Sequence, residues 1–222
     1  MFSGGMQAQT SDNDGFATGV AIPPLGLPGF LRVPQECRGL VVFAHGSGSN
    51  LSSPRNAYVA EGLNRAGFAT LLFDLLRDEE EADRRNVFDI PLLADRLAAA
   101  IDWRAAQDRL AHLPLGLFGA STGAAAALVV AARFGSAVAA VVSRGGRPDL
   151  AKKALETIRA PTLLIVGGHD REVLLLNEAA LSRLNCPKAL KVIPGATHLF
   201  SEPGALDSVV AEAAGWFSTY LK

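Results

Sequence analysis

Short, continuous apolar runs alternate with amphipathic stretches along most of this chain. The apolar runs span four to six residues and lack the strict alternation of a half-exposed strand; they lie at 39–44, 69–73, 115–118, 138–142, 162–166 and 190–193. Between them, Ala- and Leu-rich stretches of helical period lie at about 55–66, 90–111, 122–134, 149–158, 172–184 and 204–221. Apolar runs of this kind are typical of strands that are buried on both faces of a parallel sheet.

This alternation of strands and helices predicts a doubly wound α/β sheet with right-handed crossovers. Two extended stretches at 16–22 and 29–34 flank a Pro- and Gly-rich turn, which predicts a hairpin before the parallel strands. No internal repeat or second composition regime interrupts the pattern, so we expect one domain over residues 16–222. Residues 1–15 are polar and non-periodic, which indicates a flexible leader or a linker remnant.

Composition and charge indicate which kinds of partner and which cellular location to expect. The 222 residues are 49% hydrophobic and carry a net charge of −1, with acidic and basic residues mixed along the chain. That balance argues against nucleic acid or an anionic membrane as a partner. No run is long enough to span a membrane, and the N-terminus lacks a signal-peptide pattern, so a cytoplasmic location is the default expectation.

A metal site is not expected. Cys37 and Cys186 are far apart in the sequence, and the four histidines form no His-Glu-x-x-His pair. The residue patterns also require no other cofactor.

The strongest chemical signal is the segment Gly119-Ala-Ser-Thr-Gly123. An apolar strand ends just before it, and an Ala-rich helix begins just after Ser121. Gly-x-Ser-x-Gly between a strand and a helix is the context of a nucleophile elbow, where Gly119 and Gly123 leave room for a sharp turn that exposes the hydroxyl. The helix N-terminus and the Thr122 amide would then stabilise a developing oxyanion.

A serine nucleophile needs a base and a group that orients that base. In proteins with such an elbow, the acid and then the histidine follow the serine along the chain. Asp170 follows the strand at 162–166, and His198 follows the strand at 190–193, so both should lie at the carboxyl edge of the sheet. His198 is therefore the predicted general base and Asp170 its partner, while His169 is the rival histidine.

A second oxyanion donor is predicted in His45-Gly-Ser-Gly-Ser49, directly after the first parallel strand. Gly46 allows a sharp turn that would point the Ser47 amide at the substrate carbonyl, and His45 is interpreted as a residue that shapes this loop. A dinucleotide fingerprint fits less well because its third glycine is missing, and a phosphate P-loop fails because no Gly-Lys-Ser/Thr follows.

Three further residues leave alternatives open. Asp74 ends the strand at 69–73, where it either caps a turn or acts as a substitute acid. Arg144 and Arg147 follow the strand at 138–142, where they either brace the loop or meet a substrate carboxylate.

The ordered set HGSGS, GASTG, GGHD and GATHLF resembles the dienelactone-hydrolase-like branch of the α/β-hydrolase superfamily, over nearly the whole chain after residue 16. More narrowly, it is similar to serine hydrolase domains that occur alone or behind a phosphoribosyltransferase domain, and residues 1–15 would suit a cut linker from such a larger chain. The resemblance implies an α/β-hydrolase fold with about eight mostly parallel strands between two helical layers, and a triad of Ser121, Asp170 and His198. Dienelactone hydrolases proper carry a cysteine nucleophile, so Ser121 argues against a dienelactone substrate.

The predicted function is an esterase that forms an acyl-Ser121 intermediate without cofactor or metal. Only about twenty residues separate the strands that end at Val142 and Val166, which leaves no room for a cap domain and favours small or short-chain esters. A thioesterase, acyltransferase or perhydrolase could use the same triad, and a non-catalytic binding module is a further alternative.

Overall fold

An eight-stranded sheet forms the centre of the computed structural model, which describes residues 17–222. The strand order is β1-β2-β4-β3-β5-β6-β7-β8; β2 pairs antiparallel with both of its neighbours, and every other pairing is parallel. The expected leader at 1–15 lies outside the described residues. The strands are β1 (Thr18–Ile22), β2 (Leu27–Arg32), β3 (Leu40–Ala44), β4 (Ala69–Phe73), β5 (Leu115–Ala120), β6 (Ala140–Arg144), β7 (Thr162–Gly167) and β8 (Lys188–Ile193).

Helices cover both faces of the sheet. The helices are α1 (Pro54–Arg65), α2 (Asp78–Glu81), α3 (Arg84–Val87), α4 (Ile90–Ala105), α5 (Asp108–Ala111), α6 (Thr122–Phe134), α7 (Arg171–Arg183) and α8 (Ala205–Tyr220). Helices α1 and α8 pack on one face, while α4, α6 and α7 pack on the other. Within residues 17–222, none of them combines the length and apolar character that crossing a bilayer requires.

Burial on both faces explains why the strands read as continuous apolar runs. In β3, Leu40 and Val42 contact the core beneath α4 and α6, whereas Val41 and Phe43 contact the core beneath α1 and α8. All four are buried because successive side chains of a strand point to opposite faces. The predicted α/β-hydrolase architecture is confirmed, and residues 17–222 contain no cap domain.

Two predicted helices differ in the structure. The helix expected over 90–111 breaks at Gln107, whose backbone is extended, because the chain must turn back after α4 to begin β5. The helix expected over 149–158 is a 3-10 helix at Pro148–Glu156, interrupted at Lys152 with φ 51°. The charge runs between β4 and α4 form α2 and α3, two single-turn helices that lack the repeated apolar spacing by which longer helices are predicted.

Candidate active site

The parallel strands bring the predicted site residues to one edge of the sheet. Ser121 follows β5, Asp170 lies beyond β7, and His198 lies beyond β8. The loop that contains Ser47 begins where β3 ends. Carboxyl ends of neighbouring parallel strands open on the same side, so segments that are distant in sequence meet there.

Ser121 adopts a backbone conformation that side chains rarely occupy. Its φ of 51° and ψ of −121° lie in a region that favours glycine and costs other residues about 1–3 kcal/mol. The amide of Ser121 donates to the carbonyl of Arg144 at 3.3 Å, and the amide of Arg147 donates to the carbonyl of Ser121 at 3.1 Å. These bonds to Arg144, at the end of β6, and to Arg147, in the loop that follows, hold the strained turn between β5 and α6.

Close packing around the turn requires glycine at three positions. A Cβ atom at Gly123 would lie 2.1 Å from the carbonyl oxygen of Ala44, which brings the first turn of α6 against the end of β3. A Cβ atom at Gly46 would lie 2.6 Å from Cβ of Ser121. The loop after β3 therefore contacts Ser121 directly; Gly119 packs in the same way against Ala124.

His198 and Asp170 form a hydrogen-bonded pair. Nδ1 of His198 lies 2.6 Å from Oδ2 of Asp170, and the side chains are 42% and 14% exposed. A carboxylate can only accept, so Nδ1 carries the proton and Nε2 remains available as an acceptor. Asp170 is the N-cap residue of α7, yet its carboxylate does not cap the helix. A Cβ atom at Gly167 would lie 2.4 Å from the carbonyl oxygen of Ala196, so the His198 loop packs closely on the end of β7.

The His198 ring lies against the residue that follows β6. A Cβ atom at Gly145, whose φ is 52°, would lie 3.6 Å from Cε1 of His198. Gly145 follows Arg144, which accepts the Ser121 amide, so the elbow and the histidine contact adjacent residues. The described residues show no hydrogen bond between the Ser121 hydroxyl and His198. Such bonds are often long in ligand-free sites and tighten when substrate binds.

Two backbone amides are free beside the serine. Thr122 is the first residue of α6, and Ser47 lies in the exposed turn after β3. Within residues 17–222, neither amide donates to another protein atom. The first amides of a helix have no intrahelical acceptor, which makes the Thr122 amide available to a negatively charged oxygen.

His45 and Asp74 support the loop after β3. Nε2 of His45 accepts from the amide of Leu75 at 3.0 Å, and Nδ1 donates to the carbonyl of Gly46 at 3.2 Å. Burial lowers the pKa of His45, so its ring is neutral and its tautomer is defined by these two bonds. Asp74 accepts from the amide of Leu51 at 2.7 Å, and burial raises the pKa of its carboxyl. These contacts fit the interpretation of His45 as a loop-shaping residue, and they give Asp74 a different partner from His198.

His169 and Arg147 have different surroundings from His198 and Arg144, the residues of the same type that lie nearby. The His169 side chain is exposed, and the backbone amide of this residue donates to Ala196 at 2.9 Å. Arg147 forms two hydrogen bonds to Asp149, at 2.9 and 2.8 Å, and so braces its own loop. Arg144 is buried and forms no such ion pair within the described chain.

Sequence reasoning missed Asn177. This fully buried residue of α7 donates from Nδ2 to the carbonyl of Gly146 at 3.0 Å, and thereby supports the loop that holds Ser121 and contacts His198. The sequence feature that could have indicated Asn177 is a single polar residue on the buried face of an amphipathic helix, one turn after the buried Val173.

An apolar hollow adjoins Ser47 and Thr122. Its apolar lining consists of Leu76 and Val87, which lie between β4 and α4, and Leu93, which lies in α4. Val87 and Leu93 are 7% and 3% exposed, and the hollow has a volume of only about 10 Å³. The other lining residues are His45, Gly46, Ser47, Glu81 and Thr122.

Comparison with known proteins concerns the family and the fold of the chain. The model of the dienelactone hydrolase family matches residues 27–218. Two Mycobacterium tuberculosis proteins, from strains CDC 1551 / Oshkosh and H37Rv, are 58% identical over 202 residues and bear the provisional name phosphoribosyl transferase. The match covers 91% of this chain but 46% of those relatives, so the chain spans about half of their length.

Solved structures share the fold over nearly the whole chain. The crystal structure of a dienelactone hydrolase from Anabaena variabilis ATCC 29413 is 52% identical, with a TM-score of 0.90 over 95% of this chain and 100% of that one. Est1E from Butyrivibrio proteoclasticus has a TM-score of 0.75 at 18% identity, over 91% of this chain and 97% of that one. An alpha-beta serine hydrolase homologue from Coxiella burnetii has a TM-score of 0.73 at 20% identity, over 94% of this chain and 99% of that one. These last two similarities concern the fold.

Proposed function

Since this chain belongs to the dienelactone hydrolase family, and is therefore a hydrolase, we propose that it cleaves carboxylic esters through an acyl intermediate on Ser121. The observation that carries the proposal is the 2.6 Å contact between His198 and Asp170, at the same sheet edge as the strained Ser121. A histidine whose Nδ1 is bound to a carboxylate presents its Nε2 as a base, which is what an unactivated serine hydroxyl needs.

Acylation proceeds in two steps, and His198 transfers a proton in each of them. Oγ of Ser121 attacks the ester carbonyl carbon while Nε2 of His198 accepts the hydroxyl proton. The carbonyl oxygen becomes an oxyanion, which accepts hydrogen bonds from the amides of Ser47 and Thr122. When the intermediate collapses, the bond to the alcohol oxygen breaks and His198 returns its proton to the departing alcohol.

Deacylation repeats these steps with water as the nucleophile. His198 removes a proton from the water, the hydroxide oxygen bonds to the acyl carbon, and the Ser121 oxygen leaves with the proton from His198. The products are a carboxylic acid and free Ser121. Throughout, the negative charge of Asp170 stabilises the imidazolium without accepting its proton.

Replacing Asp170 with asparagine is expected to lower kcat by up to about 10⁴-fold, as the equivalent change does in a serine protease. An amide keeps the size of the side chain but can donate to Nδ1, which leaves the proton on Nε2, where it blocks acceptance of the Ser121 proton. Steady-state hydrolysis of p-nitrophenyl acetate measures this loss. Asp74→Asn is the matched control, because Asp74 binds the Leu51 amide; a larger loss in Asp74→Asn than in Asp170→Asn would contradict the assignment.

Short acyl chains are expected to give the highest kcat/KM, at about two to six carbons for a shallow apolar pocket. The reason is that the hollow lined by Leu76, Val87 and Leu93, next to Ser47 and Thr122, has a volume of only about 10 Å³. A series of p-nitrophenyl esters of increasing acyl length measures the optimum. In Val87→Ala the hollow loses two methyl groups from its wall, so the optimum should move to longer chains. An optimum at long chains in the unaltered protein, with activation at a lipid–water interface, would refute this proposal.

We also propose that this hydrolase unit can be joined to a second domain. The shared stretch makes up 46% of the Mycobacterium tuberculosis relatives, which supports the linkage that the sequence resemblance implies.

A further inference from the structure

Arg144 is a buried cation that has no anionic partner among residues 17–222. The residue is 8% exposed and lies at the end of β6, on the face that α1 and α8 cover. Its Nη2 donates to Oδ1 of Asn56 at 3.2 Å, while its Nη1 is buried without any acceptor in the described chain. Arginine is rarely buried unless it is paired, because the lost hydration of the charge must be replaced by hydrogen bonds or a counterion.

The guanidinium carbon of Arg144 lies 5.9 Å from the centroid of the Phe118 ring, and a second cation, Arg55, lies close enough to affect its charge. Burial, and to a smaller extent the positive charge of Arg55, lowers the pKa of Arg144 to about 10. Arg55 and Asn56 belong to the first turn of α1, a turn that contains no acidic residue. The N-terminus of a helix carries a partial positive charge and free amides, so two cations and a helix dipole meet here.

The cap of α1 is also incomplete. Ser53 is the N-cap residue, but its hydroxyl forms no capping bond and is buried without a partner within the described residues. An N-cap hydroxyl ordinarily accepts from an amide in the first turn. The Ser53 hydroxyl, the free amides of the first turn and Nη1 of Arg144 are therefore hydrogen-bond donors without an acceptor within the described residues.

We infer that Arg144, Arg55 and the N-terminus of α1 form a subsite for an anionic oxygen-bearing group, a carboxylate or a phosphate, on the ester substrate. A guanidinium group binds both of these planar or tetrahedral anions through paired hydrogen bonds. Arg55 is only partly buried, so its side of the subsite is open to a ligand. This inference rests on the proposed ester hydrolysis.

The subsite is directly connected to the candidate active site. The carbonyl of Arg144 accepts the Ser121 amide at 3.3 Å, and the amide of Ser53 donates to the carbonyl of Asn50 at 3.0 Å, at the end of the loop that contains Ser47. An anion bound at α1 would thus orient one end of a substrate whose ester carbonyl lies at Ser121. The binding energy of a remote charged group can position the reacting carbonyl.

A pair of esters with equal acyl length tests the inference. In p-nitrophenyl butyrate the acyl chain ends in a methyl group, whereas in mono-p-nitrophenyl succinate it ends in a carboxylate. We expect the ratio of kcat/KM for succinate over butyrate to fall about 10- to 100-fold in Arg144→Met, mainly through KM, since a hydrogen bond to a charged group is lost. The ratio cancels any general loss of activity. Arg147→Met is the matched control, because Asp149 already pairs with Arg147.

Arg55→Gln provides a second variant, since this residue is only partly buried and its replacement spares the core. In this variant the ratio of kcat/KM for the succinate ester over the butyrate ester should also fall, by a smaller factor than in Arg144→Met. Thermal unfolding supplies a readout independent of turnover: succinate or inorganic phosphate should raise Tm in the unaltered protein and less in Arg144→Met. The anion that gives the larger Arg144-dependent shift identifies the chemistry of the substrate group.

The outcomes separate the subsite from the esterase activity. If both esters are hydrolysed with the same ratio in all variants, and neither anion shifts Tm through Arg144, the subsite is wrong and the esterase proposal stands. If neither ester is hydrolysed but an Arg144-dependent shift of Tm occurs, the anion site stands and the esterase proposal is wrong.

Discussion

Replacing Ser121 with alanine is expected to lower kcat for p-nitrophenyl esters by about 10⁶-fold, the size of the loss when the nucleophile of subtilisin is removed. The hydroxyl supplies the only covalent attachment point in the proposed mechanism, so the remaining groups cannot form the acyl intermediate. Folding should persist because Ser121 is partly exposed and its backbone bonds to Arg144 and Arg147 do not involve the side chain. Circular dichroism checks the fold of the variant.

Covalent labelling provides the complementary measurement. Phenylmethylsulfonyl fluoride should add its sulfonyl group to the peptide that contains Ser121, and the Ser121→Ala protein should remain unmodified in mass spectrometry. Ser182→Ala is the control, because this exposed serine of α7 bonds only to the carbonyl of Ala179. Retention of more than a few per cent of turnover in a folded Ser121→Ala protein would exclude Ser121 as the nucleophile.

Removing the His198 ring is expected to cost about as much, roughly 10⁶-fold in kcat, because nucleophile and base act as one unit in this kind of site. Without Nε2, the hydroxyl of Ser121 has no acceptor for its proton during attack on the ester. The variant His198→Ala should keep its fold, since the side chain is 42% exposed and its hydrogen bond is to Asp170 at the surface edge. Steady-state hydrolysis of p-nitrophenyl acetate measures the loss.

His169→Ala distinguishes the two histidines. The structural hydrogen bond of this residue is made by its backbone amide, which alanine retains, and its ring is exposed. We therefore expect a change in kcat of no more than a few-fold. If His169→Ala abolishes turnover while His198→Ala spares it, the general base has been assigned to the wrong residue.

The main elements of the fold could be predicted because each one has its own local pattern. A strand that is buried on both faces reads as an apolar run, and the run at 162–166 corresponds to β7 within one residue. A sharp strand-to-helix turn needs small residues, so the segment around Ser121 was readable as an elbow. The break in the helix expected over 90–111 could not be predicted, because Ala106 and Gln107 are compatible with a helix and the chain turns there only to reach β5.

Which aspartate pairs with His198 depends on the order of the strands in the sheet, and this order differs from their order in the chain. Asp74 and Asp170 both follow strands, so both were candidates for the acid. In the sheet, however, β4 lies on the far side of β3, whereas β7 pairs with β8, the strand that precedes His198. This neighbour relation brings Asp170 to the histidine and leaves Asp74 with the loop after β3.

The sequence by itself therefore determined the fold class and the strand-to-helix turn at Ser121, since these depend on the period of burial and on residues that are close together. It also placed Ser121, Asp170 and His198 after strands of the sheet, where the proposed triad requires them. Only the tertiary structure decided which side chains are paired. Arg147 meets Asp149 two residues away, whereas Arg144 turns to the opposite side and is buried at α1 without a carboxylate in the described chain. The two arginines look alike in sequence, and they differ because desolvation and partners depend on which helix packs over each side chain.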